Sequence, residues 1–221
     1  LQTQWVHRSG TGADDGIVSV ASLMLGVAAS SSSNRAVLVA GAAGLVAGAL
    51  SMAAGEYVSV ASQRDAERAE ISREKQELAA DPPGELKELA GIYRERGLES
   101  ELALKVAEQL SAHDRLSAHV RDELGLHEAA LARPLQAALV SALSFASLAV
   151  LPIAALLLAP ARLRALAIVL TSVVSLAVLG AIGASLGGAS LWRGALRVVT
   201  GGGLAMAVTA LIGHLIGASA G

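Results

Sequence analysis

The sequence predicts an all-α, polytopic membrane protein: five transmembrane helices, with a cytoplasmic three-helix insertion between the second and third spans. Three observations predict it. Hydrophobic residues make up 53% of the 221 and charged residues only 16%, where a soluble domain carries roughly a quarter. Of the 36 charged side chains, 27 fall between Arg64 and Arg133, which leaves the rest of the chain almost free of charge. That apolar remainder divides into stretches of about membrane length. The formal net charge of −2 offers no basic footprint for nucleic acid. The absence of Cys excludes disulfides, zinc thiolate sites and thiol catalysis.

Residues 1–14 read as a cytoplasmic amino-terminal tail, and residues 15–63 as the first two membrane helices. The first span runs from Gly16 to about Ser31, the second from Ala36 to about Ser62. Val27-Ala28-Ala29-Ser30 has the small residues of a signal-cleavage site. Asp14 and Asp15 at the mouth of the span, with no basic stretch before it, argue against that reading. Residues 129–221 hold the other spans: Leu135 to Leu158, Leu163 to Leu186, and roughly Ala195 to Gly217. Pro152 frees a carbonyl inside the third, so a kink is expected there. Small residues recur at helical spacing as Gly41, Gly44, Gly48 and Gly55, and again as Gly180, Gly183 and Gly187. Such spacing suits close helix crossings, although Gly and Ala are common in membrane helices generally.

Arg8, Arg193 and the charged segment fall on one side of the membrane, and Arg35, Arg162 and Arg164 on the other. The larger excess of Lys and Arg puts the amino terminus and the charged segment in the cytoplasm.

Residues 64–128 form the charged module. Its first helix continues out of the second span from Arg64 to Ala80, where Asp81-Pro82-Pro83-Gly84 stops it. A second helix follows from Glu85 to about Glu95, closed by Arg96-Gly97. The third runs from about Glu99 to Leu124, with Leu102, Val106, Leu110, Leu116, Val120 and Leu124 as its apolar stripe.

Carboxylates are the module's main chemical feature. Glu67, Glu70, Glu74 and Glu77 are spaced three and four apart, so they share a helix face and repel one another unless a cation intervenes. Glu85 and Glu88 make a second i,i+3 pair, and His119 with Glu123 an i,i+4 pair, as two metal ligands on one face would. Oxygen with imidazole suits Fe²⁺, Mn²⁺ or Zn²⁺ better than Cu⁺, which prefers sulfur. The competing reading is a surface helix neutralised by Arg64, Arg68, Arg73 and Lys75, and it fits Glu67 and Glu70 better than ligation does. His113 falls in the apolar stripe and reads as a packed histidine. His7, His127 and His214 have no identifiable partners.

Outside the module the only acids are Asp14, Asp15 and Glu56. An ionisable side chain at membrane depth is costly and marks a pathway or cavity. Asp14 fits a helix cap at the water boundary. Asp15 and Glu56 are pathway candidates, and Met52 stands i,i+4 from Glu56, so a thioether and a carboxylate share one side of the second helix.

Several segments together resemble the vacuolar iron transporter family, over nearly the whole chain. They are Asp15-Gly16-Ile17-Val18-Ser19, Gly48 to Tyr57 with its Ser51-Met52-Ala53-Ala54-Gly55-Glu56 core, Arg73-Glu74-Lys75-Gln76-Glu77, the Glu85 and Glu88 pair, and Glu123-Leu124-Gly125-Leu126. The resemblance implies a homodimer in the lipid bilayer that exports iron(II), sometimes manganese(II), from the cytosol in exchange for protons. It implies pore-lining roles for Asp15 and Met52, a cytoplasmic metal site of Glu74, Glu77, Glu85, Glu88 and Glu123, and, for a bacterial-type member, the inner membrane. Fe²⁺ or Mn²⁺ is then cargo, and no prosthetic group is expected. Two departures stand out. Family members with a well-defined cytoplasmic site carry adjacent methionines where this chain has His119 and Val120, so His119 offers nitrogen for one sulfur and Val120 offers nothing. Some members carry a glutamate where this chain has Gly44, and Glu56 is the residue placed to take over its role.

The sequence therefore reads as a metal(II)/proton antiporter rather than an enzyme. The alternatives are a membrane-anchored metal-binding or sensing protein, and a ferritin-like membrane ferroxidase. The last would need paired Glu-x-x-His motifs, and the chain contains none.

Overall fold

The computed structural model describes residues 2–30, 33–126 and 132–219, with side chains from residue 14 onward. His127 lies outside the described residues, as does the side chain of His7. The helices are α1 (Gln2–Ala29), α2 (Asn34–Ala80), α3 (Pro82–Glu95), α4 (Ser100–Asp122), α5 (Pro134–Leu158), α6 (Arg164–Leu186) and α7 (Leu191–Ser219), with a 3₁₀ turn at Ala161–Leu163. No strand occurs among the described residues. The chain divides into two compact units, 1–56 with 135–221, and 57–134.

In the first unit, α1 packs against α6 and α7, and α6 against α7. Ile17, Val20, Ala21 and Met24 of α1 are completely buried and meet Phe145 and Ala149 of α5, Ile168 and Leu176 of α6, and Met206 of α7. Among the described residues, four helical stretches are long and apolar enough to cross a membrane: α2, α5, Ala161–Leu186 and α7. Their outward faces carry large apolar side chains, among them Leu135, Leu143 and Leu157 on α5 and Val174, Val178 and Ile182 on α6. In water such surface would be a liability; in lipid it costs nothing.

Missing side chains set the helix crossings. A Cβ at Gly180 or Gly194 would strike the backbone of the other, which brings α6 onto α7. Between α1 and α7, a Cβ at Gly213 would strike the backbone of Gly26 and one at Gly26 would meet Thr209, and Gly16 meets the backbone of Phe145. Gly41, Gly44 and Gly48 face Met24, Leu23 and the Phe145 ring, so three of the four glycines singled out in the second span lie at crossings. Gly55 and Gly183 face open space. One expectation changes. Asp14 lies inside α1 and is no helix cap, because that helix already begins at Gln2. Helix α5 continues through a fully buried Pro152. His214 is exposed on α7.

In the second unit, α2 ends at Ala80 and Asp81 caps the next helix, its Oδ1 accepting from Gly84 N at 3.0 Å. The two prolines that stop α2 occupy the first turn of α3, where a missing N–H costs no hydrogen bond. Helix α3 therefore starts three residues before Glu85. It closes on Gly97, whose φ of +100° suits glycine, with Leu98 N donating to Tyr93 O and Gly97 N to Arg94 O. Leu89, Ala90 and Tyr93 pack on Ala103, Ala107 and Ala118 of α4.

Helix α4 departs most from expectation. Asp114 has φ −155° and ψ 97°, and its Oδ1 accepts from Ser117 N at 3.0 Å. Asp114 thus caps a fresh helical segment and breaks the register of the first. The apolar stripe does not run straight through: Leu102 is half exposed, Ala103 and Ala107 are buried in its place, and His113 is exposed rather than packed.

Candidate metal centre

Three helices of the second unit bring four side chains together: Glu74 from α2, Glu85 from the first turn of α3, and His119 and Glu123 from the end of α4. One ligand atom from each lies within 4.8 Å of all the others, the group of three or more His, Asp or Glu that the described residues place within reach of one ion. The Asp81-capped turn sets Glu85 at the start of α3, where a carboxylate also suits the helix dipole. The last turn of α4 stacks Glu123 over His119.

His119 is completely buried and Glu74 nearly so, at 2% side-chain exposure, while Glu85 and Glu123 open gradually toward solvent at 14% and 25%. His119 Nδ1 is 2.9 Å from Glu74 Oε1, 3.0 Å from Glu123 Oε2 and 3.8 Å from Glu85 Oε2. One ring N–H cannot serve three carboxylates. The hydrogen bond goes to Glu123 Oε2, and Glu74 Oε1 and His119 Nε2 are buried with no hydrogen-bond partner among the described residues. Burial, then the charge of Glu123, pushes the Glu74 carboxyl up, with His119 acting in the opposite sense. Burial, then the charge of Glu88, raises Glu85 likewise.

Three carboxylates around one imidazole, without an arginine or lysine among them, form an under-neutralised site. A divalent cation held there would correct that imbalance and take up the orphaned oxygen. Hard oxygen with one borderline nitrogen favours first-row M²⁺ over Cu⁺.

The other expected ligands stand outside this group. Glu77 and Glu88 are exposed, and each acts on the cluster through its charge, Glu77 on Glu74 and Glu85, Glu88 on Glu85. Glu70 is exposed. Glu67 is buried, and its two oxygens are taken by Gln63 Nε2 at 2.8 Å and by the backbone N–H of Ala132 at 3.2 Å. That is a tether's bonding pattern. Val120 is buried at 1% exposure as packing. In the first unit Asp15 is exposed, Met52 is half-buried against the apolar core, and Glu56 is half-buried.

Sequence reasoning missed the carboxylate next to the site. Asp122 Oδ2 accepts from Tyr93 Oη at 2.7 Å and from Arg121 Nη2 at 2.7 Å, and Oδ1 from Arg96 Nη1 at 2.7 Å. Arg96 Nη2 also donates to the Asp122 carbonyl. Burial alone would raise Asp122, but the hydrogen bonds from Arg121, Tyr93 and Arg96 outweigh it and hold this carboxyl well below the usual range. The clamp fixes the end of α3 to the end of α4, one residue from Glu123. Its members are 26 and 29 residues apart, so no local pattern announces it.

Comparison with known proteins agrees with this chemistry. The profile of the VIT family matches residues 10–214. A vacuolar iron transporter of Acanthamoeba castellanii is 46% identical over 212 residues, covering 96% of this chain and 78% of that protein. Vacuolar iron transporter homolog 5 of Oryza sativa subsp. japonica is 37% identical, over 94% of this chain and 78% of its own length. Vacuolar iron transporter homolog 2.1 of Arabidopsis thaliana is 35% identical, over 99% and 84%. With a profile matched over nearly its full length and relatives of this identity and coverage, the chain is a membrane protein that belongs to the VIT family.

Proposed function

We propose that this protein exports iron(II), and manganese(II) as a second cargo, from the cytosol by proton antiport through a pore at a homodimer interface. The observation that carries the reading is the convergence of Glu74, Glu85, His119 and Glu123 on one buried point in a chain whose relatives are named iron transporters. In this reading α1 is a fifth span beside α2, α5, α6 and α7. Residues 1–14 and the module of residues 64–128 are cytoplasmic, in a bacterial-type inner membrane.

The module concentrates M²⁺. Glu77 and Glu88 draw hydrated ions by charge, and Glu74, Glu85, His119 and Glu123 take them in partly dehydrated form. Asp15, Met52 and Glu56 of both protomers then line the passage. Protonating the carboxylates on the far side releases the ion, and losing those protons toward the cytosol resets them. Metal and proton compete for the same oxygens, which is the coupling an antiporter needs.

Reconstitution into liposomes with an internal pH reporter tests this. Fe²⁺ or Mn²⁺ flux is expected to move protons the opposite way. Asp15→Ala is expected to stop flux while metal binding by the module persists. Undiminished flux in Asp15→Ala would remove the pore assignment, and flux without proton movement would remove the antiport.

A further inference from the structure

The last part of the chain carries a charge imbalance that metal transport leaves unused. From Ala129 to Gly221 the sequence has five arginines, Arg133, Arg162, Arg164, Arg193 and Arg197, and no Asp, Glu or Lys. Two of them, Arg193 and Arg197, stand one turn apart at the start of α7. Gly194, set against the backbone of Gly180 on α6, fixes which side of that turn meets the protein. Trp192, Arg193, Leu196 and Arg197 are left on the outward side, all exposed, Trp192 at 73% and Leu196 at 47%. Neither guanidinium has an ion pair or a hydrogen bond among the described residues. Depth follows from length. Val198 to Gly217 runs 20 residues without Asp, Glu, Lys or Arg. Such a run makes about 30 Å of helix, the thickness of the hydrocarbon layer, so Leu191 to Arg197 stands among the headgroups.

We propose that the first two turns of α7 bind an anionic phospholipid, with Arg193 and Arg197 on its phosphodiester and Trp192 and Leu196 against its glycerol and upper acyl chains. The inference rests on the membrane placement of the chain and is independent of the metal cluster and of transport. A guanidinium presents a planar fork of donors that matches phosphate oxygens, and it keeps its charge. Two of them one turn apart, with no carboxylate beside them, outweigh the single charge of one phosphodiester. A zwitterionic headgroup adds an ammonium group that this pair repels, whereas an anionic headgroup adds none. An exposed indole suits the same depth, where its ring meets acyl chain and its N–H meets headgroup oxygen. Leu196 lies on that side between the two arginines and extends the apolar contact. Free phosphate would satisfy the arginines alone; a lipid engages all four side chains.

The test uses the full chain in phosphatidylcholine liposomes, carrying Trp5→Phe so that Trp192 is the sole tryptophan. Its fluorescence is quenched by phospholipid brominated in the acyl chains, either phosphatidylglycerol or phosphatidylcholine, at equal mole fractions. The anionic lipid is expected to bind beside Trp192 about three-fold more strongly than the zwitterionic one at low salt, and the excess to shrink as salt is raised. In the pair Arg193→Gln with Arg197→Gln the ratio should fall to one, while quenching by brominated phosphatidylcholine stays at its starting level and shows that α7 keeps its depth. Equal quenching by the two lipids before the arginines are changed overturns the proposal, and so does an excess that the glutamine pair retains. Inorganic phosphate should leave the excess as chloride of the same ionic strength does. Selective loss of the excess in phosphate would make this a site for free anions and remove the lipid.

Discussion

Asp122 and Glu123 are neighbours in sequence, yet they belong to opposite kinds of site. Asp122 is surrounded by donors: a phenol and two guanidiniums satisfy both its oxygens and hold its charge in place. Glu123 shares a single imidazole N–H with Glu74 and Glu85, and one oxygen of Glu74 is buried without a hydrogen bond among the described residues. The difference separates a carboxylate that builds the module from carboxylates the fold leaves under-neutralised. A charge the fold has already neutralised is structural. A charge the fold has gathered and left in deficit is there for a ligand.

The largest effect that would sharpen this contrast is on metal affinity. Glu74→Gln removes the most deeply buried carboxylate of the cluster and is expected to weaken Mn²⁺ binding by about 100-fold or more. Because it also removes a like charge from a crowded point, the metal-free module should melt no lower than wild type. Calorimetric titration with a thermal melt of the same sample checks both. A substantially lower melting temperature would mean Glu74 is a structural carboxylate after all.

Asp122→Ala should give the reverse pattern. Losing charge-assisted hydrogen bonds to a mostly buried carboxylate is expected to cost about 2–3 kcal/mol of module stability, read by chemical denaturation. Once the residual folded population is accounted for, metal affinity should fall less than in Glu74→Gln. Equal loss of affinity would dissolve the distinction between the two neighbours.

His119→Met probes the replacement of sulfur by nitrogen within the cluster. A thioether is a softer ligand, so Mn²⁺ affinity is expected to fall about ten-fold while Cu⁺ affinity rises. Competition between the two ions on wild-type and variant protein measures this. An unchanged preference would show that the carboxylates alone set selectivity.

How much of this was legible in the sequence follows from the range of the interactions. Periodicity and composition gave the helices of the membrane unit, because burial in lipid is a property of long apolar runs. Spacing picked out Gly41, Gly44, Gly48 and Gly180 as contact points, but not Gly16 or Gly26, whose crossing partners lie on helices far along the chain. In the module, spacing put Glu67, Glu70, Glu74 and Glu77 on one face, while packing buries only Glu67 and Glu74, seven residues apart. Why Glu67 is a tether while Glu74 joins the cluster depends on what lies opposite, Ala132 for one and His119 for the other. The break in α4 was readable: Asp114 three residues before Ser117 is a helix-start signal in the middle of an apolar stripe. Reading the stripe as unbroken put His113 inside.

The smallest predicted effect is the dependence of metal-free stability on pH, where the two carboxylate environments should pull in opposite directions. Glu74 and Glu85 are raised by burial and by their acidic neighbours from an ordinary 4.5. Groups raised on folding contribute stability that is fully present below 4.5 and is lost as pH rises through their folded values. Asp122 is lowered from an ordinary 3.8, so its contribution is present above 3.8 and disappears as pH falls further. The metal-free module should therefore soften as pH climbs from 4.5 toward neutrality, and soften separately in stronger acid. Melting curves by circular dichroism of wild type and Glu74→Gln, each with and without Mn²⁺, isolate the first branch. The variant should show a shallower decline above 4.5. Mn²⁺ should flatten the wild-type curve at neutral pH, where the ion replaces the protons the cluster has lost. A metal-free wild type that grows more stable than Glu74→Gln as pH rises would place Glu74 with Asp122 rather than opposite it.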